Sequence, residues 1–446
     1  TTFRFGMREV EVTGGHFRLN GDPLWLRGSS LVHEWRWGDD WIGGAKHYLV
    51  DTARTMNLNC FRTHTEPMVA EWLNAADQHG TMILSENPLL YNHGYFGYTD
   101  EEYRILHENA MKDARGWITK IWNHPSIVLW VLSNESANDN AWEAGPLSDY
   151  VRRLDPTRPH MRTGEPLIGT RDILDVHTCF NYTCGPEGET IEDMQRMAAK
   201  KDPTRALTNT EYMNTIVGGV SMRWLGEKDH PDLSLVKGAF AAEHTEAMRR
   251  LRFDCIQPYM YAGWVRRPRN NWRDDYPTVM AAVLHSAMSP VLASLDLFDR
   301  NFTAGTEADT SLVLINDTTA DVTATVQLLL TPANPLFIPD ADALEAAVWQ
   351  QKKTYTFPAN KVVRRPVAFP VPADEGTYYL CAIVRREGRK PIVSQRTVRA
   401  VDTSGIAMQL EGRRVFVLGA DDAILTWLAN QGAEGFTAVD GPVFDP

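Results

Sequence analysis

The amino-acid sequence predicts an α/β protein in which a (β/α)8 TIM barrel is followed by an Ig-like β-sandwich and a short partial α/β segment. From Leu24 to about Met288, short β-rich runs alternate with longer helical periods, which is typical of βα units and a parallel sheet. We count eight such repeats, the number that closes a barrel. The chain has 446 residues, enough for about three domains or one large barrel with attachments.

The barrel strands are predicted at the short β-rich runs, with amphipathic stretches between most of them. In Glu102–Trp122, apolar residues recur at spacings of three and four, which predicts a helix covering one face of the barrel. A second helix is predicted over Pro67–His79, with Pro67 in its first turn and Gly80 just beyond its end. The predicted strands are Leu24–Gly28, Cys60–His64, Met82–Glu86, Ile127–Ser133, His160–Thr163, Ile173–His177, Ala206–Thr210 and Ile256–Gly263.

The pattern changes after Leu295, where Val, Thr and Leu alternate with polar turns. This alternation predicts an antiparallel sandwich over residues 296–402, and residues 16–295 are then assigned to the barrel. Residues 403–446 contain a strand, a helix and a second strand. A single βαβ unit cannot bury both faces of a sheet, so we expect this segment to be part of a truncated domain.

The composition excludes several classes of protein. With 43% hydrophobic and 23% charged residues, the chain is neither disordered nor a coiled coil. A net charge of −12 argues against a nucleic-acid partner, and no apolar run reaches the roughly 18 residues that span a membrane. Five cysteines without a CxxC pair predict neither a disulfide framework nor a zinc site. We expect no cofactor, leave a homo-oligomer open, and favour a periplasmic or secreted location over a cytoplasmic one.

Carboxylates follow several of the predicted strands, at the end of the barrel where reactive groups lie. Asn134 and Glu135 emerge from the fourth strand in NHPSIVLWVLSNES, and Glu211 ends the seventh in ALTNTEYMN. Carboxyls on these strands face each other across the barrel mouth, where one can be an acid and the other a nucleophile or base. The alternative for both is a surface ion pair. The remaining strand-end carboxylates, which we expect to be structural or supporting groups, are Glu34, Glu86 and Glu165.

Several stretches resemble the central and following domains of a family 2 glycoside hydrolase. They are FGMREVEV, FRLNGDPLWLRG, NLNCFRTH around Arg62, NHPSIVLWVLSNE, DPTRP and the glutamate of strand seven, and they cover roughly Phe5 to Val401. The resemblance implies that Glu135 is the acid/base and Glu211 the nucleophile. It also implies that Asn134 binds the sugar 2-hydroxyl, that Arg62 holds the nucleophile ionised, and that residues 1–15 are the tail of a preceding β-sandwich domain.

The expected substrate-binding residues are His33, Arg62, His64, Asn134, His177, Tyr182 and Trp264. For Arg62 and His64 the alternative is a structural ion pair under the mouth, and for His177 and Tyr182 it is a place in the core. Trp264 can be ordinary packing, although a flat ring there suits the apolar face of a pyranose. The third strand, LSENPLL, departs from the family pattern, so specificity is open. No metal site is predicted.

The sequence therefore predicts a retaining exo-β-glycosidase, similar to β-galactosidases, that acts on terminal β-linked sugars of oligo- or polysaccharides. An endo-acting barrel glycosidase and a catalytically silent carbohydrate-binding protein are the alternatives. The loop VRRPRNNWR at residues 265–273 carries four arginines, so an acidic or sulfated sugar contacted by Arg266, Arg267 or Arg269 is a further hypothesis. An acidic pair follows this loop, and self-pairing within it is the alternative.

Overall fold

A computed structural model gives the architecture of the chain. It describes residues 5–31, 51, 53–89, 97–135, 140–164, 169–177, 191–212, 233–259, 265–266, 276–277, 279–335, 341–403, 415–418 and 436–439.

Eight parallel strands form the predicted TIM barrel, which is confirmed. They follow one another around the barrel in chain order, and the eighth pairs with the first. At the seam between the fifth and sixth strands, His177 N donates to Gly164 O at 3.2 Å. Every strand starts within two residues of its predicted start. The barrel strands are β4 Leu26–Leu31, β5 Cys60–Thr63, β6 Met82–Glu86, β7 Ile127–Asn134, β8 His160–Thr163, β9 Ile173–His177, β10 Ala206–Tyr212 and β11 Cys255–Pro258.

The strands are apolar runs because the barrel buries both of their faces. All eight residues of β7 are buried, the pattern expected of a parallel sheet covered by helices. Trp72 and Trp130 pack between sheet and helices, while Cys60 belongs to a separate cluster with Leu84 and other strand residues. Gly28 is required on β4, since a Cβ there would lie 2.5 Å from the backbone oxygen of Cys60 on the neighbouring strand.

Helices follow most of the strands. The longest begins at a capping box in which Glu102 N donates to Thr99 Oγ1 and Thr99 N donates to Glu102 Oε2. The helix predicted from Pro67 begins three residues later, at Ala70, because the chain up to its N-cap Val69 is extended; it ends at Gly80 as predicted. The helices are α1 Ala53–Thr55, α2 Ala70–His79, α3 Asp100–Ile121, α4 Asn140–Trp142, a π-helical turn Glu143–Leu147, α5 Ser148–Leu154, α6 Ile191–Ala199, α7 Leu233–Arg250, α8 Val279–Ala287 and α9 Ala341–Glu345. No helix among the residues described above combines the length and apolarity needed to cross a bilayer.

A small antiparallel sheet covers the amino-terminal end of the barrel. Its strands are β1 Val10–Thr13, β2 His16–Leu19 and β3 Asp22–Pro23. Phe17 is buried in one cluster with residues of the barrel strands, and His16 Nδ1 lies 2.5 Å from Asp254 Oδ1. β1 is part of the segment predicted to belong to a preceding domain, and it pairs here with β2.

Two sheets form the sandwich. One contains β14 Val291–Asp296, β16 Glu307–Asn316 and β19 Lys361–Pro370; the other contains β15 Asn301–Thr303, β17 Val322–Thr331, β18 Trp349–Phe357, β20 Gly376–Arg385 and β21 Ile392–Val401. Their facing apolar residues form one core, as alternation along the strands predicts. The sandwich begins at β14, before the predicted boundary at Asp296, because β14 pairs along its whole length with β16.

Two short pairs of strands complete the described chain. β12 Val265–Arg266 pairs antiparallel with β13 Tyr276–Pro277. Near the C-terminus, β22 Val415–Leu418 pairs in parallel with β23 Phe436–Val439, the arrangement that a βαβ unit produces. The helix predicted between β22 and β23 lies outside the described residues.

Candidate active site

Glu135 and Glu211 lie at the carboxyl ends of the fourth and seventh barrel strands. Glu135 directly follows β7, and Glu211 is the penultimate residue of β10. Because the strands are parallel, these ends open on the same mouth of the barrel. One carboxylate oxygen of each glutamate and one ring nitrogen of His177 all lie within 4.8 Å of one another. The two carboxylates are therefore neighbours in space although 76 positions separate them in the sequence.

The backbone of Glu135 adopts a conformation that residues with a Cβ usually avoid. Its φ of +52° lies in the left-handed region, where strain at functional sites is common. Glu135 N donates to Thr163 O at 3.0 Å, which ties the end of β7 to β8. The Glu135 side chain is 36% exposed, so its carboxyl has access to the mouth.

A bulge in β10 accompanies the placement of Glu211. The pairing of β10 with both neighbouring strands shifts register after Asn209, and such bulges re-aim the side chains that follow. Glu211 is buried, and its Oε2 accepts a hydrogen bond of 3.2 Å from Arg62 Nη1. The same oxygen lies 3.6 Å from His64 Nε2 and 3.7 Å from His177 Nδ1. Three basic side chains thus surround one carboxylate.

Arg62 connects side chains from five strands. Its guanidinium is fully buried and binds the Glu86 carboxylate with two hydrogen bonds, of 2.7 and 2.9 Å. Nη2 also donates to Asn134 Oδ1 at 2.5 Å and to Thr163 Oγ1 at 3.1 Å, while Nη1 reaches Glu211. These bonds fix the orientation of the Asn134 amide next to Glu135. Glu86, expected only to be a supporting group, is thus the main charge partner of Arg62.

His177 lies between the two catalytic candidates. Its Nδ1 is 2.6 Å from Glu135 Oε1, and its Nε2 is 3.2 Å from Thr210 Oγ1 and 3.3 Å from Asp175 Oδ2. Burial alone would lower the pKa of His177, but the charge of Glu211 and hydrogen bonds to Asp175 and Glu135 raise it to about 9. The ring is therefore a cation at neutral pH.

The surrounding cations keep Glu211 ionised. Burial alone would raise the pKa of its carboxyl, but the charge of His177, a hydrogen bond from His64 and the charge of Arg62 lower it to about 2. An ionised, partly enclosed carboxylate is the form that a nucleophile requires.

Glu135, His177 and Glu211 are also the group in the described chain with the spacing of a metal site. A histidine ligand must offer a neutral nitrogen to a metal ion. Both ring nitrogens of His177 face acceptors, so without a metal ion the arrangement is a pair of carboxylates bridged by an imidazolium.

The comparison with known families agrees with this geometry. The family model described as glycosyl hydrolases family 2, TIM barrel domain, matches residues 10–240, slightly more than half of the chain. This chain belongs to glycosyl hydrolase family 2. The family resemblance predicted from the sequence motifs is thereby confirmed.

Curated relatives match part of this chain. A β-glucuronidase of Paenibacillus borealis is 33% identical over 197 residues, which are 40% of this chain and 31% of that protein. A β-galactosidase of Psychromonas ingrahamii is 28% identical over 245 residues, 52% of this chain and 23% of that protein. The chain thus spans about a third or less of the length of the curated relatives it matches. Among solved structures, a β-D-mannosidase from Dictyoglomus thermophilum has a similar fold, with a TM-score of 0.58 and 16% identity over 89% of this chain and 53% of that chain.

The structure brings together six of the predicted site residues of this family 2 chain, which are Glu135, Glu211, Arg62, His64, Asn134 and His177. The other three, His33, Tyr182 and Trp264, lie outside the described residues, as do Glu34, Glu165, Arg267 and Arg269. Arg266 is the second residue of β12.

Sequence reasoning missed two buried groups of the site, Asp175 and Thr163. Asp175 is a charged residue within the apolar strand β9 and lies two positions before His177, so both side chains point to the same face. That spacing is a signal that could have found Asp175. Thr163, which donates to Asn134 Oδ1 at 3.1 Å, has no comparable signal, since a threonine within a strand is ordinary.

Proposed function

We propose that this chain is the catalytic part of a retaining exo-β-glycosidase that removes terminal β-linked sugars by double displacement. The observation that carries the proposal is the approach of a Glu135 oxygen and a Glu211 oxygen to within 4.8 Å. Retaining enzymes hold their two carboxyls about 5–5.5 Å apart, whereas inverting enzymes need about 6.5–9.5 Å to place water between them. The 4.8 Å joins one oxygen of each carboxyl, and this close approach supports the shorter, retaining separation and direct attack by one carboxylate.

In the first step, Glu211 attacks the anomeric carbon while Glu135 protonates the oxygen of the leaving group. The bond between the anomeric carbon and the leaving-group oxygen breaks, and an ester forms between the anomeric carbon and the Glu211 carboxylate. The low pKa of Glu211 supports this role, because the nucleophile must be ionised at the start. The exposed carboxyl of Glu135 is the group placed to meet the leaving group.

In the second step, Glu135 accepts a proton from water, and the water oxygen displaces Glu211 from the anomeric carbon. Two inversions leave the sugar with its original β configuration, and Glu135 regains the proton that it lost. Neither step requires a metal ion or an organic cofactor.

The terminal sugar is the part of the proposal that rests on relatives alone. The two relatives reported above are named β-glucuronidase and β-galactosidase, so a β-glucuronide and a β-galactoside are the first substrates to compare. Faster hydrolysis of the glucuronide would favour the acidic-sugar hypothesis raised by the arginines of residues 265–273.

A panel of para-nitrophenyl β-glycosides tests the activity, with galactoside, glucuronide, mannoside and glucoside compared at equal concentration. For the best substrate, proton NMR of the first product identifies the anomer, and the β anomer is expected. A 2-fluoro glycoside of the same sugar slows the second step, so mass spectrometry of a digest should find the sugar on the peptide containing Glu211. The α anomer as first product would exclude the retaining mechanism.

A further inference from the structure

Asp175 is a buried carboxylate beside the active site to which the proposed reaction assigns no role. It lies on β9 and is 2% exposed. Its Oδ1 accepts hydrogen bonds from the Thr208 hydroxyl and from Thr210 N, and its Oδ2 accepts from Thr210 Oγ1 at 2.7 Å and Gly164 N at 3.2 Å. A buried carboxylate is costly unless its charge is compensated. One cation that faces it is His177, whose Nε2 lies 3.3 Å from Oδ2, and Arg62 also interacts with it electrostatically.

His177 places a ring nitrogen against a carboxylate on each side. Nε2 faces Asp175 Oδ2 at 3.3 Å and Thr210 Oγ1 at 3.2 Å, and because that hydroxyl donates to Asp175 Oδ2, it too accepts from Nε2. Nδ1 faces Glu135 Oε1 at 2.6 Å. A neutral imidazole carries one proton and can donate to only one of these acceptors, whereas an imidazolium donates to both. Acceptor oxygens on opposite sides of the ring therefore select its doubly protonated form. Glu135 Oε1 can accept from Nδ1–H also when the other carboxyl oxygen carries the proton that the acid donates.

We propose that Asp175 is a positioning residue, which acts through His177 to hold a cation between the nucleophile Glu211 and the acid/base Glu135. The inference rests on the proposed function and extends it. Asp175 contacts neither Glu135 nor Glu211 directly. It holds the His177 ring at Nε2 and keeps that nitrogen protonated. The second ring proton, on Nδ1, is then directed at Glu135. The hydrogen bonds of Asp175 to β10 and to Gly164 lock it in place.

This cation can transmit the state of the nucleophile to the acid/base. In the free enzyme, the charge of His177 is shared between Glu211 and Glu135, which lie 3.7 and 2.6 Å from Nδ1. When Glu211 is esterified, it loses its charge, and the imidazolium then acts mainly on Glu135. A cation favours the ionised form of a neighbouring carboxyl. The ring thereby favours the base form of Glu135 in the second step, as double displacement requires.

The charged groups around His177 come from several strands, and each affects its protonation. Glu135 follows β7, Asp175 lies on β9 and Glu211 on β10, and all three raise the pKa of the ring. Arg62 of β5 and His64, which follows β5, lie against the same Oε2 of Glu211 as His177. Because Asn removes the charge of Asp175 but keeps its size and one acceptor oxygen, Asp175→Asn isolates this contribution.

NMR of the full chain labelled with ¹⁵N-histidine tests the proposal without any substrate. The His177 signal is assigned by its loss in His177→Gln, and the wild-type ring should be doubly protonated at pH 7.5. In Asp175→Asn its titration midpoint should fall by about one to two pH units. A wild-type ring that is neutral at pH 7.5 would overturn the proposal, whether or not Asp175→Asn folds.

Kinetics with the best para-nitrophenyl glycoside provide the second readout. Asp175→Asn should lower kcat/KM about 10-fold or more, with the loss mainly in kcat and the alkaline limb of the pH profile moved to lower pH. The matched control is Asp77→Asn, which breaks a similar pair, Asp77 Oδ2 to His124 Nδ1 at 2.7 Å, at the other end of the barrel. The control should retain the wild-type pH profile.

The possible failures are distinguishable. If the wild type hydrolyses no glycoside of the panel, the proposed function fails, while the NMR still reports on the Asp175–His177 pair. If the wild type is active but Asp175→Asn keeps both the wild-type pH profile and the wild-type titration of His177, the positioning role is wrong and the proposed function stands.

Discussion

Gly164 lies directly against Glu135, and a Cβ added to Gly164 would be 3.1 Å from the Cα and 3.3 Å from the Cγ of that glutamate. The φ of Gly164 is +117°, a conformation that residues with a Cβ rarely adopt. Its N–H donates to Asp175 and its carbonyl accepts from His177, so one glycine joins β8 to β9 next to Glu135. The position of Glu135 thus depends on the absence of a side chain at residue 164.

Gly164→Ala should therefore impair the site more than it impairs the fold. We expect the strained backbone to cost about 1–3 kcal/mol of unfolding free energy and the displaced Glu135 to lower kcat. Gly80→Ala is the control, since Gly80 also has a positive φ, +72°, but has no atom within 4 Å of an added Cβ. Urea unfolding and steady-state kinetics should show a stability loss in both variants but a fall in kcat only for Gly164→Ala. Equal kcat in the two variants would contradict the contact argument.

The two glutamates should differ when the leaving group is activated. A dinitrophenyl glycoside needs little protonation, so Glu135→Gln should still form the glycosyl-enzyme but hydrolyse it slowly. Added azide should then restore turnover of Glu135→Gln, because an anion attacks without a general base. Glu211→Gln should form no ester, with kcat reduced about 10⁴-fold or more on every substrate.

Rapid-quench mass spectrometry checks this assignment of roles. An ester that accumulates in Glu135→Gln on the Glu211 peptide supports it, whereas an ester on any other residue contradicts it. Because Glu135 and Glu211 both contact His177, the double variant should lose less activity than the product of the two single losses.

The barrel could be predicted from the sequence, and so could the location of Glu135 and Glu211 at its mouth. Parallel strands buried on both faces are apolar runs, and polar groups that end such runs lie at one mouth. The roles expected of the two glutamates come from the family resemblance. The side chains that support them are harder to predict. Arg62 meets partners up to 149 positions away, and those contacts exist only once the strands have closed into a barrel.

The local backbone conformation at the site could not be predicted from the sequence either. The bulge that redirects Glu211 and the left-handed φ of Glu135 depend on pairing with neighbouring strands, for which a single sequence carries little signal. The close approach of Gly164 to Glu135 could not be predicted either. Other glycines, such as Gly14 and Gly21, have no such contact, and nothing in the sequence distinguishes Gly164 from them.

Acid should destabilise the protein through Glu211. Its pKa is about 2 in the folded state against an ordinary value of 4.5, so the ionised form stabilises the fold. This contribution is complete above about pH 4.5 and is lost as the pH falls towards 2; a shift of this size corresponds to about 3 kcal/mol. Urea unfolding between pH 5 and pH 3 should show a shallower decline in Glu211→Gln than in the wild type. Glu307→Gln, an exposed position on the sandwich, should keep the wild-type slope.

Asp317 should stabilise the junction between sandwich and barrel. This buried carboxylate follows β16 and lies between three guanidiniums, at 3.2 Å from Arg27, 2.8 Å from Arg249 and 3.0 Å from Arg252. Asp317→Asn removes the carboxylate that these cations share, and removing one partner from a buried ionic cluster costs about 3–5 kcal/mol. Asp321→Asn in the same turn is the control, because Asp321 is exposed and its substitution should cost less than about 1 kcal/mol.

Thermal unfolding should therefore separate the two variants. In both, kcat/KM at 25 °C should stay at the wild-type value, because the junction lies at the end of the barrel opposite Glu135 and Glu211. Equal melting temperatures for Asp317→Asn and Asp321→Asn would show that the arginines find other compensation, such as the ring of Trp25, 3.3 Å below the guanidinium of Arg252.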